Sequence, residues 1–330
     1  MRIAVDAMGG DHAPAVVVEG AVIAARDLGV EVILVGQAEK VKEELAKQDT
    51  SGLSLPIVQA EDVVDMEEHA SSALRRKRRS SIAVGTALVK EGKASAFVSA
   101  GNSGAVMAHA LFGLGRVPGI ERPAIGSVYP TSNGICFILD IGANADCKPD
   151  YLVQFAIMGS AYMERVFGVS KPRVGLLSNG EEETKGNQLV QNVFPLLKAA
   201  PVNFVGNIEG KDVPCGLADV VVCDGFTGNV LIKLSEGIAS SLFDVLKEEL
   251  TSSFANKLAA LALKPAFRKV KKRLDYAEYG GAPLLGVNGV VIIAHGRSNA
   301  LAIKNAVRVA KQAVDHELVQ TIASGVAGSR

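Results

Sequence analysis

Short apolar runs alternate along the chain with longer segments whose apolar residues recur at helical spacing. Several of the short runs are almost continuously apolar, which is typical of buried parallel strands. We predict strands over residues 3–6, 30–35, 55–59, 96–99, 174–177, 203–206 and 218–223. The spacing predicts helices over residues 14–28, 39–47, 80–91, 103–114, 151–167, 187–199, 229–250 and 298–317. Strand followed by helix, repeated in this way, indicates a mainly parallel α/β sheet.

Two segments depart from this alternation. In each, two strand-like runs flank an Asn-Gly pair, Asn133-Gly134 within residues 123–140 and Asn288-Gly289 within residues 284–295. Asn-Gly supplies the positive φ angles of a tight hairpin turn, so both segments are predicted hairpins and the sheet is predicted to be mixed. No repeat, low-complexity tract or Pro/Ser linker interrupts the chain. We therefore expect a single unit over residues 1–330.

Composition narrows the class of protein. Of 330 residues, 48% are hydrophobic, and 35 Lys and Arg balance 35 Asp and Glu, which excludes a disordered chain held open by charge. Apolar runs stay below the ~18 to 20 residues that cross a bilayer. The first residues reach a charge after three apolar positions, too early for a signal peptide. We expect a cytoplasmic protein.

The residues that usually bind metals are not spaced as ligands. Cys136, Cys147, Cys215 and Cys223 match no CxxC pattern, and the five histidines form no HExxH motif. The sequence also lacks GxxxxGK[ST] and a GxGxxG that follows a strand, the motifs of nucleotide and dinucleotide sites. We therefore expect no metal and no cofactor.

Loops rich in Gly, Asn and Asp follow most of the predicted strands. They cover residues 6–12, 99–104, 140–144, 178–182, 186–187 and 224–229. In a parallel sheet the carboxyl ends of the strands share one edge, where ligands bind. Glycine lets backbone N–H groups approach a ligand, and helix N-termini favour anions. Any one loop could be a turn with a good helix cap, but six at one edge indicate a site for a small anion.

Seven motifs, five of which overlap these loops, resemble those of the bacterial phosphate acyltransferases. They are DAMGGD (6–11), SAGNSGA (99–105), LDIGAN (139–144), GLLSNGEE (175–182), DGFTGN (224–229), YGGAPLLG (279–286) and HGRSN (295–299). The match spans essentially residues 1–320, and the order of the motifs is its most specific feature. The resemblance implies conversion of acyl-[acyl-carrier-protein] and inorganic phosphate into acyl phosphate and free carrier protein, in phospholipid synthesis.

The same resemblance implies a fold and an assembly. The fold would be like that of isopropylmalate dehydrogenase and phosphotransacetylase, a three-layer α/β/α arrangement around a mainly parallel mixed sheet, and the molecule a homodimer. Three other functions remain open: a phosphotransacetylase that acts on acyl-CoA, a dehydrogenase on the same type of fold, and a non-enzymatic anion-binding membrane scaffold.

Attack of phosphate on a thioester requires an anion cradle and donors for the developing oxyanion. A thiol with a pKa of about 8.5 leaves readily as thiolate, so a covalent enzyme intermediate is unnecessary. We predict Lys185 and Asn229 as catalytic residues, Lys185 to hold phosphate and neutralise charge, Asn229 to donate to phosphate or to the thioester oxygen. The alternatives are a solvated loop lysine and a plain helix cap.

Further residues in the motifs are candidates for binding phosphate or substrate. They are Gly9, Gly10, Asp11, Asn102, Ser103, Asp140, Asn144, Asn179, Asn187, Asp224 and Arg297. Ser103 is interpreted as a cap or phosphate ligand rather than a nucleophile, because the GxSxG spacing is not met. Arg297 could bind phosphate through two parallel hydrogen bonds or form an internal salt bridge.

Two basic segments interrupt the even charge of the chain. Arg75, Arg76, Lys77, Arg78 and Arg79 contribute +5 and residues 251–275 contribute +6, which leaves −11 for the rest. The first segment is predicted to dock the acidic carrier protein, the alternative being a solvated helix start. Nucleic acid is not expected, because no aromatic platform or reader motif accompanies the run.

The second segment, within residues 240–278, is predicted to form a basic amphipathic helical hairpin that protrudes from the sheet, with a break at Lys264-Pro265. Its apolar residues would cluster at the turn beside the cations, as in an interfacial membrane anchor. These residues are Leu258, Leu261, Leu263 and Phe267. The alternative is packing on the partner subunit. We expect peripheral association with an anionic membrane and, since membrane enzymes would consume acyl phosphate, a membrane glycerol-phosphate acyltransferase as a partner.

Overall fold

The computed structural model describes residues 1–274 and 276–328, with backbone alone at residues 255, 271–274 and 276–277. The strands of this part of the chain are β1 (Arg2–Asp6), β2 (Glu31–Gly36), β3 (Ile57–Gln59), β4 (Ala96–Ser99), β5 (Ala124–Thr131), β6 (Gly134–Leu139), β7 (Arg173–Ser178), β8 (Asn203–Glu209), β9 (Val220–Val222), β10 (Ala282–Leu285) and β11 (Val290–Ile293). Its helices are α1 (Ala15–Leu28), α2 (Ala38–Leu45), α3 (Ala70–Arg76), α4 (Ser81–Lys90), α5 (Ser103–Leu114), α6 (Pro149–Phe167), α7 (Gln188–Ala199), α8 (Gly225–Thr251), α9 (Phe254–Leu274), α10 (Tyr276–Tyr279), α11 (Ala300–Asp315) and α12 (Leu318–Ala327).

These strands form one mixed sheet in the order β3-β2-β1-β4-β11-β10-β5-β6-β9-β7-β8. Both predicted hairpins are present, as the antiparallel pairs β5–β6 and β10–β11. The core covers both faces of the sheet, since Ile3 and Val5 of β1 pack in one apolar cluster and Ala4 in another. The predicted three-layer α/β/α class with a mixed sheet is confirmed.

The sheet consists of two groups of parallel strands that run in opposite directions. Strands β1, β2, β3, β4 and β11 form the first group, and β6, β7, β8 and β9 form the second. Between them, β10 is antiparallel to β11 and to β5, and β5 is antiparallel to β6. The expectation that all the glycine-rich loops share one edge is therefore wrong, because the intervening antiparallel strands reverse the second group.

A stagger along β10 brings the two sets of carboxyl ends together. Ala282 and Pro283 pair with β11, whereas Leu284 and Leu285 pair with the start of β5. The two groups are thus displaced along the strand direction. The carboxyl ends of the first group and those of the second face each other across β10 and β5. The loops predicted to bind an anion lie on both sides of this junction.

Three helices differ from the prediction. Helix α3 has a single buried residue, Ala73, and so lacks the apolar stripe that would have revealed it. Helix α8 begins at Gly225 rather than residue 229, because the Asp224 side chain accepts the Thr227 N–H and caps it. Helix α12 follows α11 after Glu317, whose φ of 52° ends the preceding helix.

The basic hairpin is formed by α8 and α9, which turn at residues 252–253. The predicted break at Lys264-Pro265 is wrong, because Pro265 lies inside α9. An exposed helix tolerates an internal proline at the loss of one hydrogen bond, since solvent satisfies the freed carbonyl. Residues 271–273 of the predicted basic flank lie outside the described side chains, and residue 275 lies outside the described residues. Among the described residues, no helix is both long enough and apolar enough to cross a bilayer.

Candidate active site

A cleft of about 360 Å³ lies at the junction of the two strand groups. Its apolar lining includes Ile125, Val128, Ile141, Ile232 and Ile293. The polar side chains in its lining come from both groups of strands. They are Ser103, Ser127, Asn229, Lys233, Glu236, Tyr279, His295 and Ser298. The cleft can therefore hold a ligand with one polar and one apolar part.

Two helices begin at this cleft, and a third passes it. Ser103 is the first residue of α5, and Ser298 and Ala302 flank the start of α11, whereas α8 reaches the cleft only from its second turn, at Asn229. A helix N-terminus presents free N–H groups and a partial positive charge. The starts of α5 and α11 at one cavity favour an anion there.

Asn229 is fixed within the cleft by its own side chain. Its Nδ2 donates to the carbonyl of Ile141 at 3.0 Å. That bond uses one of the two amide protons, and the second has no partner among the described residues, so it can serve a ligand. Because the side chain is held before any ligand arrives, its donor is preorganised.

Asp140, a predicted substrate ligand, is committed to hydrogen bonds inside the protein. Its Oδ1 accepts the N–H groups of Ile125, Gly142 and Ala143 at 3.0 to 3.1 Å. Its Oδ2 accepts the backbone N–H and the side-chain amide of Asn144 at 2.7 and 2.9 Å. Burial raises the pKa of the Asp140 carboxyl, and these donors oppose the rise. Asp140 and Asn144 therefore shape the loop at residues 140–144.

That loop in turn supports the start of α8. The Gly225 N–H donates to the carbonyl of Asn144 at 2.7 Å. A Cβ at Gly228 would lie 1.9 Å from the Asp140 carbonyl oxygen, so only glycine permits this approach. The buried Asp140 carboxylate therefore helps to position α8, and with it the α8 side chains that line the cleft.

Asn102, another predicted ligand, is also occupied. Its Oδ1 accepts the Ala105 N–H and caps α5. Its Nδ2 lies 2.8 to 3.3 Å from the carbonyls of Asp65, Met66 and Glu68. Asn102 therefore fastens the segment before α3 to the start of α5, beside the cleft.

The loop after β11 borders the cleft on the side of the first strand group. The His295 Nδ1 accepts the Arg297 N–H at 3.1 Å, and the Ser298 N–H donates to the His295 carbonyl at 2.9 Å. The Asp11 N–H donates to the Gly296 carbonyl at 2.8 Å, which joins the loop of Gly9 and Gly10 to this one. The Arg297 side chain is exposed and does not line the cleft.

The predicted residues of the loop after β7 lie at a second cavity, also of about 360 Å³. Asn179, Asn187 and Asp224 line it, while Lys185 is exposed in the same loop and is absent from the lining of either cavity. The Asn179 Oδ1 accepts the Gly186 N–H, and the Asn187 Oδ1 caps α7. The first turn of α8 separates the two cavities, since Asp224 and Thr227 line the second and Asn229 the first.

The basic run lies at the end of α3, which packs on α5 near the cleft. Lys77 pairs with Glu68 at 2.7 Å, and Arg79 pairs with Glu61 at 2.5 Å. Arg75, Arg76 and Arg78 are exposed and make no ion pair with described residues. Three of the five predicted cations are therefore available to a partner.

Lys233, His295 and Ser298 line the cleft and are not among the residues predicted from the sequence. Lys233 follows Asn229 by four residues, the spacing that places two side chains on one helix face. His295 and Ser298 belong to the HGRSN motif (295–299), in which Arg297 is the predicted site residue. Among the described residues, one acidic group, Glu181, Glu209 and Asp212, brings its oxygens within 4.8 Å, but Lys211 already pairs with Glu209.

The opposed strand groups and the cleft between them define an α/β protein with a ligand-sized cleft at the junction of its strands. The family model described as "Fatty acid synthesis protein" matches residues 1–321. The chain is 53% identical over 326 residues to a phosphate acyltransferase of Pelotomaculum thermopropionicum, covering 99% of this chain and 95% of that one. It is 55% identical to one of Desulfitobacterium hafniense (98% and 96%) and 54% identical to one of Geobacter sulfurreducens (98% and 93%). The chain belongs to this family, the bacterial phosphate acyltransferases.

Solved structures of more distant proteins share the fold. The EutD phosphotransacetylase from Staphylococcus aureus superposes with a TM-score of 0.60 at 18% identity, over 95% of this chain and 94% of that one. A branched-chain phosphotransacylase from Enterococcus faecalis gives 0.59 at 15% identity (96% and 99%). A 4-hydroxythreonine-4-phosphate dehydrogenase from Klebsiella pneumoniae gives 0.56 at 16% identity (95% and 99%). These similarities establish the fold alone.

Proposed function

We propose that the enzyme transfers the acyl group of acyl-[acyl-carrier-protein] to inorganic phosphate, for phospholipid synthesis. The observation that carries this proposal is the cleft, whose lining combines the starts of α5 and α11, polar side chains of α8 and several isoleucines. The helix starts and polar groups suit a phosphate dianion, and the isoleucines suit the first carbons of an acyl chain.

In this reaction a phosphate oxygen attacks the thioester carbon directly. The carbonyl oxygen becomes an oxyanion, which the free N–H of Asn229 stabilises. The oxyanion then collapses, the C–S bond breaks, and the carrier's thiolate leaves and takes a proton from solvent. Holding both reactants in one cleft supplies much of the rate, because it removes the entropic cost of their encounter.

Two lysines are candidates for neutralising charge in this step. Lys233 lines the cleft one turn after Asn229. Lys185 stays in the proposal as a cation of the neighbouring loop, which approaches the start of α8 from the side of the second cavity. Lys185 would act from the rim of the site and Lys233 from within the cleft.

Incubation of the protein with palmitoyl-carrier protein and phosphate tests the function. Free carrier thiol and acyl phosphate should appear together, in equal amounts, and only when phosphate is present. Release from palmitoyl-CoA alone would favour the phosphotransacetylase alternative. Release from neither thioester would refute the enzyme activity and leave the anion-binding scaffold.

Carrier docking is proposed for the three exposed arginines of the basic run. A carrier protein is acidic, and complementary charge raises the rate of encounter at low salt. The variant Arg75→Glu/Arg76→Glu/Arg78→Glu should raise KM for acyl-carrier protein about tenfold at low salt, with little change in KM for acyl-CoA. Lys40→Glu/Lys90→Glu/Arg165→Glu makes the same charge change at exposed positions elsewhere. Equal effects of the two variants would contradict local docking.

A homodimer is proposed on the basis of α8. The apolar side chains of Phe226, Val230, Leu234, Ile238 and Leu242 recur every four residues along it, and all are exposed in the single chain. Only Gly225 and Gly228 are buried among the residues of α8. A continuous apolar stripe of this length marks an association surface. A second copy would cover it through a two-fold contact of matching stripes.

We propose that the first half of α9 contacts an anionic membrane. Leu258, Leu261 and Leu263 are exposed in this half of the helix, beside the exposed Lys257 and Lys264. Exposed leucines insert among acyl chains while cations hold the headgroups. Phe267 lies further along α9 and is half-buried, so its contribution would be smaller. Membrane contact would deliver acyl phosphate to a membrane glycerol-phosphate acyltransferase.

Vesicle flotation tests this contact. Wild type should float with anionic vesicles and much less with neutral ones, and Leu258→Glu/Leu261→Glu should remain in solution. Val205→Glu/Leu217→Glu places the same charges at exposed apolar sites outside the hairpin and should float like wild type. The sedimentation mass of each variant checks that association is unchanged. Equal flotation of the two variants with anionic vesicles would contradict the membrane proposal.

A further inference from the structure

Ser298 is buried at the cleft with an unused hydroxyl. The residue is 4% exposed and lines the cleft, and its Oγ has no hydrogen-bond partner among the described residues. A buried polar group without a partner costs free energy, so it is retained where something else uses it. A ligand in the cleft is the partner that this position offers.

The backbone around Ser298 is held by hydrogen bonds. The Ser298 N–H donates to the His295 carbonyl, and the next residue, Asn299, uses its Oδ1 to cap α11 through the Ala302 N–H. The fold therefore holds the Ser298 backbone in place, while its buried hydroxyl bonds to none of the described residues. It lies at the start of α11, where the helix end already favours an anion.

The two sides of the cleft differ in the charge and the donors that they offer. On the α8 side, the lining holds both Lys233 and Glu236, whose charges offset each other. On the side of α5 and α11, the described lining residues carry no carboxylate and include the hydroxyls of Ser103 and Ser298. The side of α5 and α11 therefore favours a phosphate dianion, because two helix starts and two hydroxyl donors face it with no opposing carboxylate.

We propose that Ser298 is a phosphate ligand, and that phosphate binds between the starts of α5 and α11 while the thioester carbonyl binds at Asn229 on α8. The assignment of the anion as the attacking phosphate rests on the proposed function. The Ser298 hydroxyl donates to a phosphate oxygen, and Ser103 at the opposite helix start gives a second donor. The nucleophile and the oxyanion donor then lie on opposite sides of the thioester carbon.

Binding of inorganic phosphate alone gives a test that needs no catalysis. Phosphate should raise the melting temperature of the wild type in a concentration-dependent manner, because it binds the folded state. Ser298→Ala should need about tenfold more phosphate for the same shift, the loss expected for one hydrogen bond to a charged group. Ser160→Ala is the matched control, since Ser160 of α6 also has a buried, unpartnered Oγ but does not line the cleft. It should respond to phosphate like the wild type.

Steady-state kinetics supplies a second readout. Ser298→Ala should raise KM for phosphate about tenfold and change KM for acyl-carrier protein less than twofold. An unchanged phosphate response in Ser298→Ala, or an equal loss in Ser160→Ala, would overturn the subsite. If the wild type binds phosphate and Ser298→Ala binds it more weakly, but the wild type makes no acyl phosphate, the subsite is supported and the proposed function is wrong. If transfer occurs and Ser298→Ala keeps the wild-type KM for phosphate, only the subsite fails.

Discussion

Asn229→Ala should lower kcat for acyl phosphate formation by about 10²- to 10³-fold, the usual loss when one preorganised oxyanion donor is removed. The amide is fixed by its bond to the Ile141 carbonyl at 3.0 Å, so it need not reorganise as charge develops. The fold should survive, because Asn229 is half-buried and makes one described hydrogen bond. Single-turnover release of carrier thiol measures the chemical step, and circular dichroism checks the fold.

Asn203→Ala is the matched control for this variant. The Asn203 Nδ2 also donates to a backbone carbonyl, that of Lys171 at 3.0 Å, but outside either cavity. It should keep the wild-type kcat. Lys185→Ala and Lys233→Ala, made in parallel, show which lysine serves the reaction. If Asn229→Ala and Lys185→Ala both kept full turnover, the predicted catalytic pair would be wrong.

Asp140→Ala should lower the free energy of unfolding by about 3 to 5 kcal/mol, among the largest effects that a single substitution produces. The side chain is fully buried and accepts four backbone N–H groups and one amide. Alanine leaves those donors without a partner, at a cost of about 1 to 3 kcal/mol for each that water cannot reach. Asp140→Asn should lose less stability than Asp140→Ala, because its Oδ1 can still accept three of the N–H groups while its amide Nδ2 faces the two donors of Asn144.

Chemical denaturation followed by circular dichroism measures this loss. Asp146→Ala, an exposed carboxylate in the following segment, should change stability by less than about 0.5 kcal/mol. At a temperature where Asp140→Ala remains folded, its activity should also fall, because the start of α8 rests on the loop that Asp140 holds. A variant as stable as Asp146→Ala would show that the hydrogen bonds of Asp140 contribute little.

The sequence predicted the structure correctly where it depends on residues close together along the chain. Both predicted hairpins are present, although the positive φ angles fall at Gly134 and Gly286 rather than at Asn133, Asn288 and Gly289. Asn102, Asn187 and Asp224 cap helices as short-range chemistry requires. The predicted helix break at Pro265 was wrong, because the solvation and packing of the surrounding helix decide whether a proline ends it.

The candidate site was harder to predict than the elements. The predicted site residues are polar and follow strands, but these two properties do not distinguish a residue that binds a ligand from one that holds the surrounding loops in place. Asp140 and Asn102 have both properties, and their side chains form hydrogen bonds within the protein. Ser298 and Lys233 are less conspicuous in the sequence and line the cleft. Only the partners of each side chain, many residues away along the chain, distinguish the two roles.

By itself the sequence determined the alternation of strands and helices, the mixed sheet and the resemblance to an enzyme family. These depend on periodicity, turn chemistry and motif order, all of which can be read along the chain. The tertiary structure alone decided that two strand groups oppose each other and that their stagger along β10 gathers the starts of α5 and α11 and the second turn of α8. It also decided that Asn229 lines the cleft, whereas Lys185 lies in the loop beside the second cavity. The physical reason is that strand pairing joins residues far apart in sequence, so the direction and offset of each pair follow from the packing of the whole sheet.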